Sequence, residues 1–584
     1  MTERGTEYQG LRISFWCAAI ALGAADAWAT RFTMNPDGIS YLDMGDAYWR
    51  ANWHMAINAC WSPFYSWILG LSLKVLKPSP YWEYPLVHLV NFLIYVGALA
   101  CFEFFLGRFI RNCCASGKEA NKAGEALLPE WAWWALGYSL FIWTSLVLIS
   151  LATVTPDMCV AGFVYLIAGL IIRIRAGDAT RPTFVLLGVA LGFAYLAKTV
   201  MFPLAFVFLA VAMFSRGGPR KAAPRVLISA LVFLVLAAPF IAGLSLAKGR
   251  LTVGDSARLN YVAFINGVDF LFPGGSGRMR SVGEGSVEGV DEIEFPAARL
   301  LRHPVKRIFD APATYQFDGA IGGTYPFWYD PSYWQDGIKP HFDLGGQARA
   351  LMRALGIYCL LCLNPLLQLN ATAGLCILYL LAPKPSLCVK RAMANWALLV
   401  PGLAALGLYA LVWVQHRYLA PFVLIVWLAA FSGVCIPSSK WSKRLIAAIS
   451  ISIIATTFVS AAWYVAKNPR RTEPVYWQAA MALEGSGIRA GDRVAVVAME
   501  AEPGGDKLPF VARLARVQVV AQVNRADRFF GAPPSTQLQV IQAIARSGAK
   551  AILTTAEPHR AASGINWATL GPTKYYFCLL NNGK

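Results

Sequence analysis

Two Pro-Asp pairs stand at the edges of apolar segments in this chain. Pro36-Asp37 lies in "NPDGISYLDMGDAYWRANW" (35–53), and Pro156-Asp157 lies in "TVTPDM" (153–158). Proline discourages helix in the residue before it, so each aspartate opens a helix just outside a greasy run. Two carboxylates brought from distant turns to one membrane face form an acidic site that can act as a general base or hold a divalent metal ion. Cations accompany them: His416 and Arg417 in "VQHRYLAPF" (414–422), and Lys198 in "AYLAKT" (194–199). Such a set suits displacement of a phosphate from a lipid-bound sugar. The carboxylate deprotonates an acceptor hydroxyl, and the cations stabilise the departing phosphate. Helix capping and snorkelling of long side chains account for the same residues without chemistry. Asp43 and Asp46, six and nine residues past Asp37, read as a solvated acidic helix face.

Aromatic residues supply a further element. "GGTYPFWYDPSYWQDGIKPHFD" (322–343) carries Tyr325, Trp328, Tyr329 and Trp334. The segment either lies in the membrane interface or covers a groove in which rings stack on sugars or prenyl chains. Tyr41, on the same predicted helix as Asp37, joins these as a candidate substrate contact.

The elements that must position these groups are membrane spans. Of the 584 residues, 57% are hydrophobic and only 15% are charged, against about 25% charged in a soluble domain. The formal net charge is +19, which raises nucleic acid as a partner. The basic residues fall in short clusters between apolar runs, however, which is membrane topology and excludes a nucleic-acid stripe. A span needs roughly 20 apolar residues. The first is 12–30, with the N-terminus inside. Residues 62–78 are apolar over too short a stretch and read as an interfacial helix. With that choice the basic loops 108–130, 173–181, 216–225, 384–392 and 440–444 all fall on the cytoplasmic side. The remaining spans are 84–107, 131–152, 156–172, 182–199, 200–215, 226–247, 355–382, 395–414, 418–436 and 445–466. About eleven spans place the C-terminus outside.

Residues 1–466 thus form a helical polytopic domain with outer loops at 31–83 and 248–350. Residues 467–584 form a small extracytoplasmic α/β domain, with strands at 493–498, 517–523 and 551–555 and a helix at 535–549. The Gly-rich stretch 272–289 lacks the strand–turn–helix context of a phosphate loop. The twelve cysteines show no metal-site spacing and read as small apolar residues.

In order and sidedness, Pro36-Asp37, "WSPFYSW" (61–67), Pro156-Asp157 and "HRYLAPF" (416–422) resemble the GT-C superfamily. The resemblance is to the bacterial polyprenyl-phosphate-sugar transferases related to protein O-mannosyltransferases and lipid A aminoarabinose transferases, and covers roughly 10–470. It implies an inner-membrane enzyme that transfers one sugar, with inversion, from a polyprenyl-phosphate donor to a hydroxyl acceptor on the outer face. By position, the resemblance assigns the catalytic carboxylate to Asp37, the second acid to Asp157 and a cation near the donor phosphate to Arg417. Gly38 stands where the family often has a second acid, and Ser62 stands where it often has a basic residue. The first departure weakens the case for a metal, and the second gives Lys198 and His416 more weight as phosphate partners.

Two other classes compete. A transporter would use an ionisable group at depth, for which Glu103 is the best candidate. A non-catalytic subunit of an envelope assembly would need none of these groups.

Overall fold

The computed structural model describes residues 8–122, 125–215, 218–267, 305–317, 329–334, 339–363, 368–467, 473–497, 507–523, 525–559 and 561–580. Its first half is a helical bundle, in chain order α1 (Gln9–Ala29), α2 (Pro36–Trp49), α3 (Trp53–Ala56), α4 (Pro63–Leu76), α5 (Pro80–Lys122), α6 (Glu130–Trp143), α7 (Asp157–Arg175), α8 (Arg181–Ala197), α9 (Met201–Phe214), α10 (Pro219–Lys248) and α11 (Ser256–Phe264). Apolar residues all round a helix demand burial on every side. Accordingly α6 and α7 are almost wholly enclosed, while α1, α10 and the helix Lys440–Lys467 show most of their surface at the perimeter. Small residues let backbones approach: a Cβ on Gly188 of α8 would stand 2.5 Å from the Ser229 carbonyl of α10.

Six described helices are long and apolar enough to cross a membrane, seven if Pro385–Met393 and Trp396–Ala410, bent by 83° at their break, count as one span. The expected eleven are therefore not reached by length. Helices α8 and α9 and the helices Leu369–Leu380 and His416–Phe431 are apolar but shorter. The stretch read as one span at 355–382 is two helices, Leu344–Leu363 and Leu369–Leu380, and the sequence between them contains Pro365, which removes a helical donor. Helix α4, at 14 residues, is short, as expected for 62–78.

The basic loops gather at one end of the bundle. Glu125 is ion-paired with Arg391, β1 (Glu125–Ala126) pairs with β4 (Ile436–Pro437), and the Arg175 guanidinium lies 5.9 Å from the centre of the Trp396 ring.

At the C-terminal end a seven-stranded sheet runs in the order β2 (Val305–Phe309), β3 (Thr314–Phe317), β6 (Gln518–Val523), β5 (Arg493–Val497), β7 (Ala551–Thr554), β9 (Tyr576–Leu579), β8 (Trp567–Thr569). Strands β6, β5 and β7 are parallel and the outer pairs are antiparallel. The three expected strands are this parallel centre. Two further strands come from the loop between α11 and Leu344–Leu363, so the small domain is completed by a distant piece of chain. The Gly-rich stretch 272–289 lies outside the described residues.

Asp43 is buried, and Asp46 is only partly exposed. The Arg513 guanidinium, buried at 3% exposure, lies 2.6 Å from Asp43 and 2.8 Å from Asp46, and its Nε donates to Glu83 at 2.7 Å. Burial alone would lower the pKa of this guanidinium; Glu83, Asp46 and Asp43 instead hold it above its usual range. Two acids of α2 and one of α5 thereby dock the sheet domain onto the helices, together with a hydrogen bond of 2.7 Å from the Tyr84 hydroxyl to the Phe510 carbonyl.

Candidate active site

Four charged residues occupy helix termini. Asp37 is the second residue of α2, Asp157 the first of α7, and Arg417 the second of His416–Phe431, while Lys198 follows the last residue of α8. The positive end of a helix favours a carboxylate and the negative end a cation, so three of the four suit their own helix. Lys198 sits at the break between α8 and α9 in extended backbone (φ −157°, ψ 128°).

The turn that delivers Asp157 is tightly specified. Helix α6 ends in a widened turn, Thr144–Ile149, closed by a 3.0 Å bond from the Ser150 N–H to the Ser145 carbonyl. The chain then reverses through Ser150 at φ +66°. Side chains of α1 and of the loop that follows it stitch this turn in place: Asp26 of α1 accepts from the Leu151 N–H at 3.1 Å, Thr33 donates to the Ala152 carbonyl at 3.1 Å, and Asn35 accepts from the Val154 N–H at 2.8 Å. The segments bearing the two aspartates are thus one unit.

Arg417 joins them. Its guanidinium lies 3.3 Å from Asp37 Oδ2 and 3.5 Å from Asp157 Oδ2, and Lys198 Nζ lies 2.5 Å from Asp157 Oδ1. Asp157 is 3% exposed, and its Oδ2 accepts no hydrogen bond among the described residues. Asp37, at 18%, stays accessible. Removing one member of a buried ion pair costs about 3–5 kcal/mol through the charge left behind, so the arrangement is strongly specified. The sequence reading did not single out two partners. Gln415 accepts from Arg417 Nε at 2.8 Å, and the Tyr418 ring lies 3.4 Å from Lys198 Nζ. Tyr418 in turn stacks on Tyr409, with 5.4 Å between centroids. The adjacency of Tyr418 to Arg417 was the available signal.

Tyr41 is buried one turn past Asp37, edge-on to Tyr65 at 5.2 Å and tilted on Trp61 at 5.4 Å. Beyond Trp61 a second charged cluster closes the outer segments. Lys248 and Arg250 lie 3.4 and 2.5 Å from Asp255, and buried Asp330 accepts from the Ala59 N–H at 2.9 Å. Burial, with the charges of Asp330, Asp37 and Asp255, pushes the Cys60 thiol well above its usual pKa. Lys248 was not anticipated; the signal available was the crowd of Arg250, Asp255 and Arg258 just after it.

Several expected residues lie elsewhere. His416 is exposed, and no hydrogen bond or ion pair links it to the cluster among the described residues. Tyr329 is a correction: it is buried, its hydroxyl donates to the Met55 carbonyl, and its own carbonyl accepts from Asn58 at 2.5 Å. It ties down the 55–61 segment and offers no stacking face. Tyr325 and Trp328 lie outside the described residues. So does the Trp334 side chain, whose backbone ends the short helix Pro331–Trp334.

Asp37 and Asp157 fit a resident divalent ion poorly, because cations of the chain already contact both. Among the described residues no three His, Cys, Asp or Glu side chains form a group that could hold a metal ion. Glu103, the transporter candidate, is enclosed by the Arg12 guanidinium, the Tyr138 hydroxyl and the Trp16 N–H, the last at 3.2 Å. Its carboxylate fastens α1 and α6 to α5.

No protein-family model and no curated protein matches the chain. Solved structures do. ArnT from Cupriavidus metallidurans in the apo state aligns at TM-score 0.50 and 11% identity over 97% of this chain and 98% of that one. The Archaeoglobus fulgidus oligosaccharyltransferase aligns at TM-score 0.48 and 12% identity, over 93% of this chain and 67% of that one. ArnT bound to undecaprenyl phosphate aligns at 0.41 and 12%, over 98% of each chain. At these identities a likeness speaks to architecture alone, and the last two add nothing to the first. The architecture is ArnT-like, a polytopic helical membrane domain carrying a small sheet domain at its C-terminal end.

Proposed function

We propose that the chain is an inverting membrane glycosyltransferase that moves a sugar from a polyprenyl-phosphate donor to a hydroxyl acceptor at the outer face of a bacterial cytoplasmic membrane. The observation that carries this reading is Arg417, bound at 3.3 Å to Asp37 and at 3.5 Å to Asp157, with Lys198 alongside. In this reading Asp37 is the general base, and Arg417 and Lys198, both held by Asp157, are the phosphate-binding cations. The ArnT-like architecture supports the reaction class. The donor class is supported by the sequence, in which the longest loop on the basic side, 108–130, has no room for a nucleotide-binding domain.

In the proposed step the Asp37 carboxylate accepts the proton of the acceptor hydroxyl. The oxygen attacks the anomeric carbon from the side opposite the phosphate, and the bond from that carbon to the phosphate oxygen breaks. The polyprenyl phosphate leaves with the bonding electron pair, its new charge met by Arg417 and Lys198. Asp157 acts as a positioning residue: fully buried, it holds both cations toward the donor. Tyr41 backs the helix that aims Asp37. No step is routed through a metal.

The test is Asp37→Asn, which keeps shape and removes the base. Transfer to the endogenous acceptor, read by mass spectrometry of envelope lipids, glycans and proteins, is expected to fall by about 10²-fold or more in a protein that still folds. Retained transfer would refute the assignment.

A further inference from the structure

His88 of α5 is 0% exposed, and both of its ring nitrogens face backbone carbonyls. Nδ1 lies 3.0 Å from the Leu151 oxygen and Nε2 lies 3.0 Å from the Thr33 oxygen. The Thr33 hydroxyl, 3.5 Å from Nε2, has no proton to offer it, because it donates to the Thr30 and Ala152 carbonyls at 2.8 and 3.1 Å. A carbonyl only accepts, and a neutral imidazole carries one N–H. Two contacts at hydrogen-bond length therefore need two N–H groups, which only the imidazolium has. A neutral ring would leave one lone pair against an oxygen in a place closed to water.

The segments that meet at this ring are those that aim the two carboxylates. Thr33 is four residues before Asp37, and Leu151 is six before Asp157. Three residues further along α5, and so on the same face, Asn91 donates to the Thr153 carbonyl at 3.4 Å and accepts from the Tyr65 hydroxyl at 2.5 Å. Leu151 is gripped from two sides, by Asp26 on its N–H and by His88 on its carbonyl. The ionisable groups on the surrounding elements are engaged elsewhere. Asp37 meets Arg417, Glu83 meets Arg513, the Tyr84 hydroxyl donates to the Phe510 carbonyl, and Tyr464 of the helix Lys440–Lys467 is bonded to Ser150. The ring's own partners, among the described residues, are the two carbonyls.

We infer that His88 is a positioning residue whose second proton completes a clasp between the Asp37 and Asp157 segments. With two N–H groups the ring holds both carbonyls, and with one it releases one of them. That the clasp serves sugar transfer rests on the function proposed above; the clasp itself does not.

His88→Gln keeps one donor and cannot titrate. Transfer by wild type and variant is compared in washed membranes, which carry the endogenous donor and acceptor, from about pH 5 to pH 8, the range in which histidine changes charge, and well below both melting temperatures. The ratio of wild-type to variant turnover is expected to fall about tenfold as pH rises, the weight of one hydrogen bond to a charged group. Asp37 is common to both proteins and cancels in the ratio. A merely structural histidine would give a constant deficit, so a ratio independent of pH overturns the inference. If the wild type transfers no sugar at any pH, the proposed function fails and the clasp is read from melting. The lead of the wild type over His88→Gln is expected to shrink as pH rises, and a constant lead overturns the clasp. If His88→Gln does not fold, nitrogen NMR of histidine-labelled wild type decides: one ring is expected to show two N–H protons protected from solvent exchange at acid pH and one after the second proton is lost. A single protected N–H throughout that range refutes the clasp.

Discussion

Gly38 occupies the position at which the family resemblance leads one to expect a second acid, and its surroundings explain why a side chain is missing. A Cβ there would stand 2.6 Å from Met34 Sδ and 2.8 Å from Val154 Cβ. The thioether can swing away, whereas the branched Val154 is held by the Asn35 bond to its own N–H. The first-loop helix and the Asp157 turn therefore touch with nothing between them. Gly38→Ala is expected to push α2 off that turn and lengthen the contact from Asp37 to Arg417. Strain of this kind costs about 1–3 kcal/mol, so transfer should drop tenfold or more with only a modest fall in melting temperature. A variant as active as wild type would show that the close approach has no bearing on the site. At this scale, much of the charged set was legible before folding. A carboxylate or cation at the end of a greasy run is costly unless paired, which is why Asp37, Asp157, Lys198 and Arg417 were identifiable. His416, beside Arg417 in sequence, has the same local signature, yet it faces away from the cluster because one residue turns a helix by 100°.

At the scale of the element, α2 divides its acids between two jobs. Asp37 meets Arg417 at the helix start, while Asp43 and Asp46 meet Arg513 of the sheet domain. One helix therefore links the charged cluster to the docking of the C-terminal domain. Its lateral seat is a crossing with α4 at two glycines: a Cβ on Gly70 would lie 2.7 Å from the Gly45 carbonyl, and one on Gly45 would lie 2.8 Å from the Ser66 carbonyl. Backbone cannot yield as a side chain can. Gly70→Val is expected to separate the two helices, lower the melting temperature by several degrees and abolish transfer. An unchanged melting curve would mean that the crossing is not what seats α2. The helices themselves were legible from apolar runs and their punctuation. Their continuity was legible in part: Pro365 within 355–382 was a visible warning of a break in what reads as one span, and the 83° bend at 394–395 falls where the basic loop 384–392 gives way to the span read at 395–414.

Across the whole molecule, the sheet domain is fastened by one buried guanidinium. Arg513 serves Asp43, Asp46 and Glu83, and Arg516 adds a second contact to Glu83 at 2.5 Å. Arg513→Met keeps much of the apolar bulk and leaves buried carboxylates short of a partner, at a cost of about 3–5 kcal/mol. Limited proteolysis is expected to cut the variant faster between the helical and sheet domains, and sugar transfer should fall although no residue of the charged cluster is altered. Wild-type protease resistance would show that other contacts hold the domain. Apolar content, basic loops and short alternating strands fixed the helical membrane domain, its small α/β companion and the clustering of the basic loops, because burial and charge act on each segment independently of its partners. The choice of partner was decided only by tertiary structure. Asp43 with Arg513 spans 470 residues, strands from 305–317 complete a sheet built after residue 493, and Asp37 and Asp157 share Arg417. Contacts of that range depend on how the elements pack, and leave no period or spacing in the chain to be read.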